Sequence, residues 1–266
     1  MPNDGGQLSN ISEEEATGIK NSDPLAAKYL RRLIGAAELI NGKARYCLWL
    51  KGADPTDIKN SMEIRTRVEK VRELRLESPR ATTRKDAATP TLFAEIKQPN
   101  SEYLAVPRVS SENRAYVPMA LVPPSVIAND ALLTIDDANL TTFAILQSRV
   151  FALWNVSVSG RMKSDFRISA EITYNNFPFP IYQEDKMNAL SQTAQNIIDI
   201  RASYPNASLA VLYDKQSMPP DLLKAHQAND KAVLLAYGLK PTAADAAVMT
   251  LLFSLYATLA EGQTLI

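Results

Sequence analysis

Histidine and cysteine are nearly absent from this 266-residue chain, which holds one of each, and glycine occurs only nine times. A lone Cys47 excludes an internal disulfide framework and a cysteine metal cluster, and it makes a reducing, cytoplasmic home the natural expectation. The single histidine, His226, lies four residues before Asp230 in a stretch that reads as helix. A buried or capping role suits it better than that of a catalytic base, and no Ser/His/Asp set has convincing context. Glycine is too sparse for a dinucleotide or P-loop cradle, because no Gly-rich loop follows a strand pattern. Long apolar runs are missing too: "AVMTLLF" falls well short of a membrane span. The opening "MPNDGGQLSNISEEEATGIK" lacks the basic start and apolar centre of a signal peptide.

Net charge is also lacking, since 29 basic and 29 acidic residues cancel. The average conceals a distribution, with residues 1–40 at −2, residues 41–180 at +4 and residues 181–266 at −2. Within the middle segment, residues 65–85 hold eight basic side chains against three acidic ones. Local charge sets the potential that a phosphate backbone would meet. Arg65, Arg72, Arg80, Arg84 and Lys85, with Arg161 and Arg167 further on, are therefore candidate phosphate contacts. The competing reading is a solvated helix surface whose charges pair with Glu69 and Glu73.

Proline and periodicity organise the rest. Residues 1–23 are polar and Gly/Glu-rich and read as a linker or tail. "NSDPLAAKYLRRLIGAAELI" reads as a helix opened by Ser22 or Asp23 with Pro24 in its first turn. Asn41-Gly42 marks a turn, and "RYCLWL" a short strand. From Pro55 to Glu77, Ile64, Val68, Val71 and Leu74 recur on one helical face. Residues 78–135 are loop-rich, with seven prolines interrupting strands such as "EYLAV" and "ALLTI". "DDANLTTFAILQSRVFALWNV" reads as a core helix. Beyond Pro180 the composition turns Ala/Leu-rich, and four or five helices are expected, one opening at Pro219-Pro220-Asp221 and closing at "YGLKP". The expected fold class is α+β. A mixed α/β domain over residues 24–180, with short strands and ordered loops, precedes an all-α domain over 181–266.

Three stretches carry possible chemistry. Asp86, Glu95 and Lys97 in "DAATPTLFAEIK" are the residue types that a small Mg²⁺-dependent nuclease uses to hold its ion and orient water. A plain surface strand is the alternative. "PRVSSENRAYVP" crowds Arg108, Ser110, Ser111, Glu112 and Arg114 between two prolines. Arg, Ser and Asn are side chains that contact phosphates and base edges, while an ion pair of Glu112 with Arg108 or Arg114 would account for the loop structurally. In "GRMKSDFRISAEITYNNFPFP", Arg161, Lys163, Asp165 and Arg167 alternate, so an extended segment would project them from one face. Lys donates to the guanine O6/N7 edge and Asp accepts from the cytosine N4 amine, so this pair could read both halves of a G·C base pair. Any exposed edge strand shows the same alternation. The segment's second half, through Pro180, reads as a last strand and closing turn, with Phe177 and Phe179 anchoring the helices that follow.

"RYCLWL", "VRELRLESPR", "PRVSSENRAYVP", "ILQSRVFALWNVSVSGRMKSDFRIS", "YNNFPFP" and "LYDKQSMPPDLLKAHQANDKAV" occur in this order in the chain. Together they resemble the C-terminal part of the MmeI-like restriction–methyltransferases, over residues from about 24 to the end. In that family one polypeptide carries a nuclease, an adenine-N6 methyltransferase that binds S-adenosylmethionine, a target-recognition domain and a helical tail. This chain resembles only the last two. It lacks an Asn-Pro-Pro-Phe/Tyr motif, so the resemblance implies no catalytic site here, and S-adenosylmethionine and Mg²⁺ would belong to other domains. The implied partners are double-stranded DNA and a methyltransferase domain, of the same polypeptide or of a separate subunit, with no membrane. The resemblance also implies three base-reading places: the "PRVSSENR" loop, Asn129 and Asp130 in "IANDA", and Lys163 with Asp165. A protein-interaction module that packs an apolar face of the 243–260 helix on a partner is a further alternative.

Overall fold

Ser12 accepts from the Glu15 amide while the Glu15 carboxylate accepts from the Ser12 amide, a reciprocal cap that starts a helix inside the supposed tail. The computed structural model describes residues 2–162 and 165–262, without the side chains of Arg161 and Met162. Within it, Leu8, Ile11, Ala16 and Ile19 are buried. Of the expected 1–23 linker or tail, the described residues 2–23 are folded: Ser12-x-x-Glu15 starts the helix, and burial of the apolar residues around it holds the segment in place.

The chain divides into two compact units, residues 1–101 with 123–130, and residues 102–122 with 131–266. In the first, α1 (Glu13–Ser22) and the single turn α2 (Pro24–Ala27), capped by Asp23, lead into strand β1 (Leu30–Ile34). The helix expected across this stretch stops after four residues. β1 is claimed by neighbours on both sides, β2 (Tyr46–Leu48) antiparallel and the later β6 (Ile127–Ala128) parallel. Between them, α3 (Ala36–Asn41) ends at Gly42, whose φ of 68° is the left-handed conformation the Asn-Gly signal anticipated. The Pro55–Glu77 stretch is two helices, α4 (Pro55–Asn60) and α5 (Met62–Leu76), parted at Ser61, which caps the second. Ile64 and Val71 are buried as expected, but Leu74 is exposed and Arg75 is buried. A short helix α6 (Ala81–Lys85) follows. Cys47 is free and buried, and burial pushes its thiol up to about 12, so it is inert at neutral pH.

In the second unit, β3 (Tyr103–Pro107) lies between β5 (Ala120–Val122) and β7 (Leu132–Asp136), antiparallel to both. "EYLAV" and "ALLTI" are therefore hydrogen-bonded neighbours, with Leu104 opposite Ile135. A smaller sheet joins β4 (Val109–Ser110), β9 (Asp165–Arg167) and β8 (Arg161–Met162) in that order. The expected core helix is two, α7 (Leu140–Leu146) and α8 (Arg149–Val158), because Ser148 caps the second from within the run. Instead of a last strand, Ala170–Tyr174 forms a π-helical turn. Phe177 is buried against Phe151 and Trp154, and Phe179 packs on it. Helices α9 (Glu184–Ala202), α10 (Leu209–Leu212), α11 (Pro220–Ala236) and α12 (Asp245–Ala260) complete the unit.

The α+β class stands, with short strands followed by helices. One continuous core takes in Leu104, Trp154 and Phe177 together with Leu190, Leu222 and Leu252. The expected boundary at residue 180 falls inside this unit and its core. Among the described residues no helix is long and apolar enough to cross a membrane.

Candidate nucleic-acid interface

Two of the three expected base-reading stretches are hydrogen-bonded neighbours. β4 and β9 pair with Val109 opposite Arg167 and Ser110 opposite Phe166. The Ile168 amide donates to the Arg108 carbonyl at 2.8 Å, and the Arg108 amide donates to the Ala131 carbonyl at 3.1 Å. Arg108 is thereby pinned through its backbone on both sides, while its side chain stays half-exposed. The "RMKSDFR" stretch is not one extended strand. β8 and β9 pair antiparallel, with Met162 opposite Asp165. The alternation expected to align four residues holds, among the described side chains, for Asp165 and Arg167, two apart on β9. Lys163 lies outside the described residues, as does the side chain of Arg161.

Beyond Ser110 the chain makes a turn, with the Arg114 amide on the Ser111 carbonyl at 3.1 Å. Glu112 is exposed, Ser111 and Arg114 are half-buried, and Ser110 is buried in the sheet and withdrawn from solvent. The far end of this loop enters the core at Tyr116. Its hydroxyl donates to Asp230 Oδ2 at 2.7 Å, and Asp230 Oδ1 accepts the Arg149 amide at the start of α8, also at 2.7 Å. His226 stacks on the Tyr116 ring with centroids 4.1 Å apart and is hydrogen-bonded to the Tyr213 hydroxyl at 2.9 Å. The Gln147 side-chain amide donates to the Val117 carbonyl, and Arg201 donates to the Met119 carbonyl at 2.8 Å. The loop is therefore tied at one end by strand pairing and at the other by side chains from α9, α11 and the α7–α8 junction.

Burial sets the ionisation of this cluster. It lowers His226 to about 3, with the Arg201 charge adding to the effect, so the imidazole is neutral at physiological pH. It also raises the Asp230 carboxyl and the Tyr116 phenol. Fully buried and stacked, His226 has the structural role expected of it.

In the first unit, Asn129 follows β6, and its amide donates to the Ile34 carbonyl at 2.8 Å. Its side chain lies over Gly35, where a Cβ would come within 2.5 Å of Asn129 Nδ2. Asp130 is exposed. Arg65 and Arg72 are exposed two turns apart on α5, and Arg80, Arg84 and Lys85 are exposed around α6. Arg84 also donates to the carbonyls of Ser78 and Pro79. Two members of the basic cluster are otherwise engaged. Arg67 pairs with Glu63 and Glu15, and Arg75 is buried, donating to five backbone carbonyls.

The nuclease reading is not favoured by what its residues contact. Asp86 offers its backbone carbonyl to Arg75, and Glu95 forms an ion pair with Lys97. Among the described residues no group of three His, Cys, Asp or Glu side chains could hold a metal ion. Sequence reasoning missed Arg75, Gln147, Arg201 and the Tyr116–Asp230 pair. Their partners are distant in the chain, up to 114 positions for the pair, so no local spacing announces them.

Comparison with known proteins accounts for nearly the whole chain. Residues 1–181 match the family described as "MmeI, target recognition domain", and residues 182–264 match "MmeI, C-terminal domain". "DNA methyltransferase A" of Bacillus subtilis (strain 168) is 36% identical over 261 residues, which is 98% of this chain and 30% of that protein. The solved structure of the type IIL restriction-modification enzyme MmeI in complex with DNA superposes with a TM-score of 0.92 at 40% identity, covering 98% of this chain and 35% of that one. The chain spans about a third of the length of these relatives.

Proposed function

Because the chain belongs to the family of MmeI target-recognition and C-terminal domains, we propose that it is the DNA-reading module of a site-specific adenine-N6 methyltransferase of the restriction–modification kind. The observation that carries this reading is the β4–β9 pairing, which joins the 108–114 loop to Asp165 and Arg167 in one sheet. A short loop and a hairpin side by side suit the major groove, which admits a two-stranded ribbon. The similar enzyme MmeI, solved in complex with DNA, supports DNA as the ligand, and we take it to be double-stranded.

Arg108, Ser111, Glu112 and Arg114 then read base edges from the loop, with buried Ser110 holding its start. Lys163 and Asp165 read one G·C pair from the hairpin, Lys163 donating to guanine and Asp165 accepting from cytosine. Asn129 and Asp130 form the third reading place. Arg65, Arg72, Arg80, Arg84, Lys85, Arg161 and Arg167 neutralise phosphates and supply salt-dependent affinity. The methyltransferase domain, on the same polypeptide or a separate subunit, binds S-adenosylmethionine and flips out the adenine. The functional division falls near Pro180, a reading supported by the meeting of the two family matches at 181 and 182. The cytoplasm is the compartment that suits such an enzyme.

Selection of duplexes from a randomised pool by this chain, at moderate salt, tests the reading. One short sequence should be enriched, and equal retention of all duplexes would refute it. Exchanging the hairpin pair, Lys163→Glu with Asp165→Arg, should move one position of the enriched site from G to C. An unchanged site removes Lys163 and Asp165 from the readout.

A further inference from the structure

Every described anchor at the far end of the 111–115 loop comes from the helical half of the second unit. Tyr116 is the first buried residue after the loop, and its hydroxyl meets Asp230 of α11 at 2.7 Å. Asp230 is itself nine-tenths buried, and its other oxygen takes the first amide of α8. His226, one turn earlier on α11, covers the Tyr116 ring. Two further carbonyls of the segment leading from Tyr116 to β5, those of Val117 and Met119, are held by Gln147 and Arg201. These two side chains also meet each other, at 3.3 Å, and Arg201 stacks over the Phe143 and Tyr213 rings.

Strand pairing holds the loop's start, and the His226 stack covers the Tyr116 ring. The Tyr116 hydroxyl adds a direction: it lies on the ring's long axis, so its bond to Asp230 fixes where that axis points and the height at which the chain leaves the loop, while the His226 stack sets the ring's rotation about it. A side chain that reads a base edge must be placed within a fraction of an ångström, and groups that lock it in place do as much as the reader itself.

We propose that Asp230 is a specificity-determining positioning residue, which acts through Tyr116 to hold the 111–115 loop in the geometry that reads DNA. The inference rests on the reading given under Proposed function. It makes the helical C-terminal half part of the reading device, although no residue of α11 need touch DNA. Removing the link should leave phosphate-driven affinity intact and erode discrimination between bases.

The test uses Tyr116→Phe, which deletes one hydroxyl and keeps the ring, and Asp230→Asn, which keeps the shape and one acceptor. Each variant is compared with the unsubstituted chain for affinity to its selected duplex, to duplexes changed at single positions, and to a duplex without the site. The expected result is a roughly tenfold loss of discrimination at the position read by the loop. Affinity for the duplex without the site, and discrimination at the position read by Lys163 and Asp165, should stay unchanged. Hydrogen exchange at the amides of 111–115 should quicken while that of α11 does not. If discrimination is unchanged in both variants, even with a lowered melting temperature, Asp230 is only a stabilising residue and the proposal falls. If it drops equally at every position, the effect is global and the proposal falls too. An unsubstituted chain that retains all duplexes alike refutes the earlier reading, and this inference with it.

Discussion

Arg75 shows what one side chain contributes to the first unit. Its guanidinium donates to the carbonyls of Pro2, Asn3, Asp86, Thr89 and Leu92, at distances between 2.7 and 3.1 Å. No acidic side chain is among these partners. Peptide dipoles, with the charges of Asp86 and Asp4, balance the guanidinium, and the planar fork reaches two distant stretches of chain at once, residues 2–3 and 86–92. Arg75→Leu would strand these acceptors in the interior, and a stability loss of about 3–5 kcal/mol in urea denaturation is expected. Arg75→Lys should recover little of it, since an ammonium has three donors and no fork. The residue was illegible in advance for a physical reason. Helical spacing puts Leu74 on the apolar face, yet Leu74 is 44% exposed and Arg75 is 1% exposed. Periodicity locates a face to within about one residue, and it carries no information about carbonyls delivered from elsewhere.

At the level of elements, local chemistry was a good guide where it was strong. The prolines at 219 and 220 open α11, Gly238 follows its end with φ of 73°, and the β-branched "EYLAV" and "ALLTI" are strands. Where local signals were weak, partners decided. "LRRLI" is a strand because two other strands flank it, and the antiparallel partnership of β8 with β9 follows from pairing that alternation alone does not specify. The candidate interface was legible as three separate stretches, not as a surface. That β4 and β9 are neighbours follows from contacts over more than fifty residues, which no single stretch encodes. α5 carries a prediction of its own, through the two turns that present Arg65 and Arg72. Arg72→Ala should weaken binding to every duplex by a similar factor and lower the slope of log affinity against log salt by about one. Titrating binding over several salt concentrations measures it, and an unchanged slope takes Arg72 off the phosphate.

For the molecule as a whole, each unit has its own core and its own tryptophan, Trp49 in the first and Trp154 in the second. Acid should separate them. His226 titrates near 6.5 in an unfolded chain and at about 3 when folded, so below pH 6.5 the unfolded state binds a proton that the native state does not. That contribution is full above pH 6.5 and is lost as the pH falls toward 3, at up to about 1.4 kcal/mol per unit. Asp230 opposes it in its own range: its raised carboxyl keeps a proton that the unfolded chain sheds. The first unit has no histidine. There, Glu15 is lowered by its bond to the Ser12 amide and Asp57 by the Tyr29 hydroxyl, so their contributions are lost only as pH falls below the usual carboxylate range. Between pH 7 and 5, single-tryptophan variants should show the Trp154 unfolding midpoint falling while the Trp49 midpoint holds. His226→Gln should flatten the first and leave the second unchanged.

The second core draws on residues from Leu104 to Leu252, on both sides of position 181. Recombination between two relatives at that point would hand each descendant two intact ancestral segments. It would also join halves of an interior that had never been selected together, side chains shaped for other neighbours. Exchange of residues 102–266 would carry 123–130 along and split the first core at Ile127, so a lineage would acquire a new target best by altering the few loop positions between Ser110 and Tyr116, where change asks nothing of the interior.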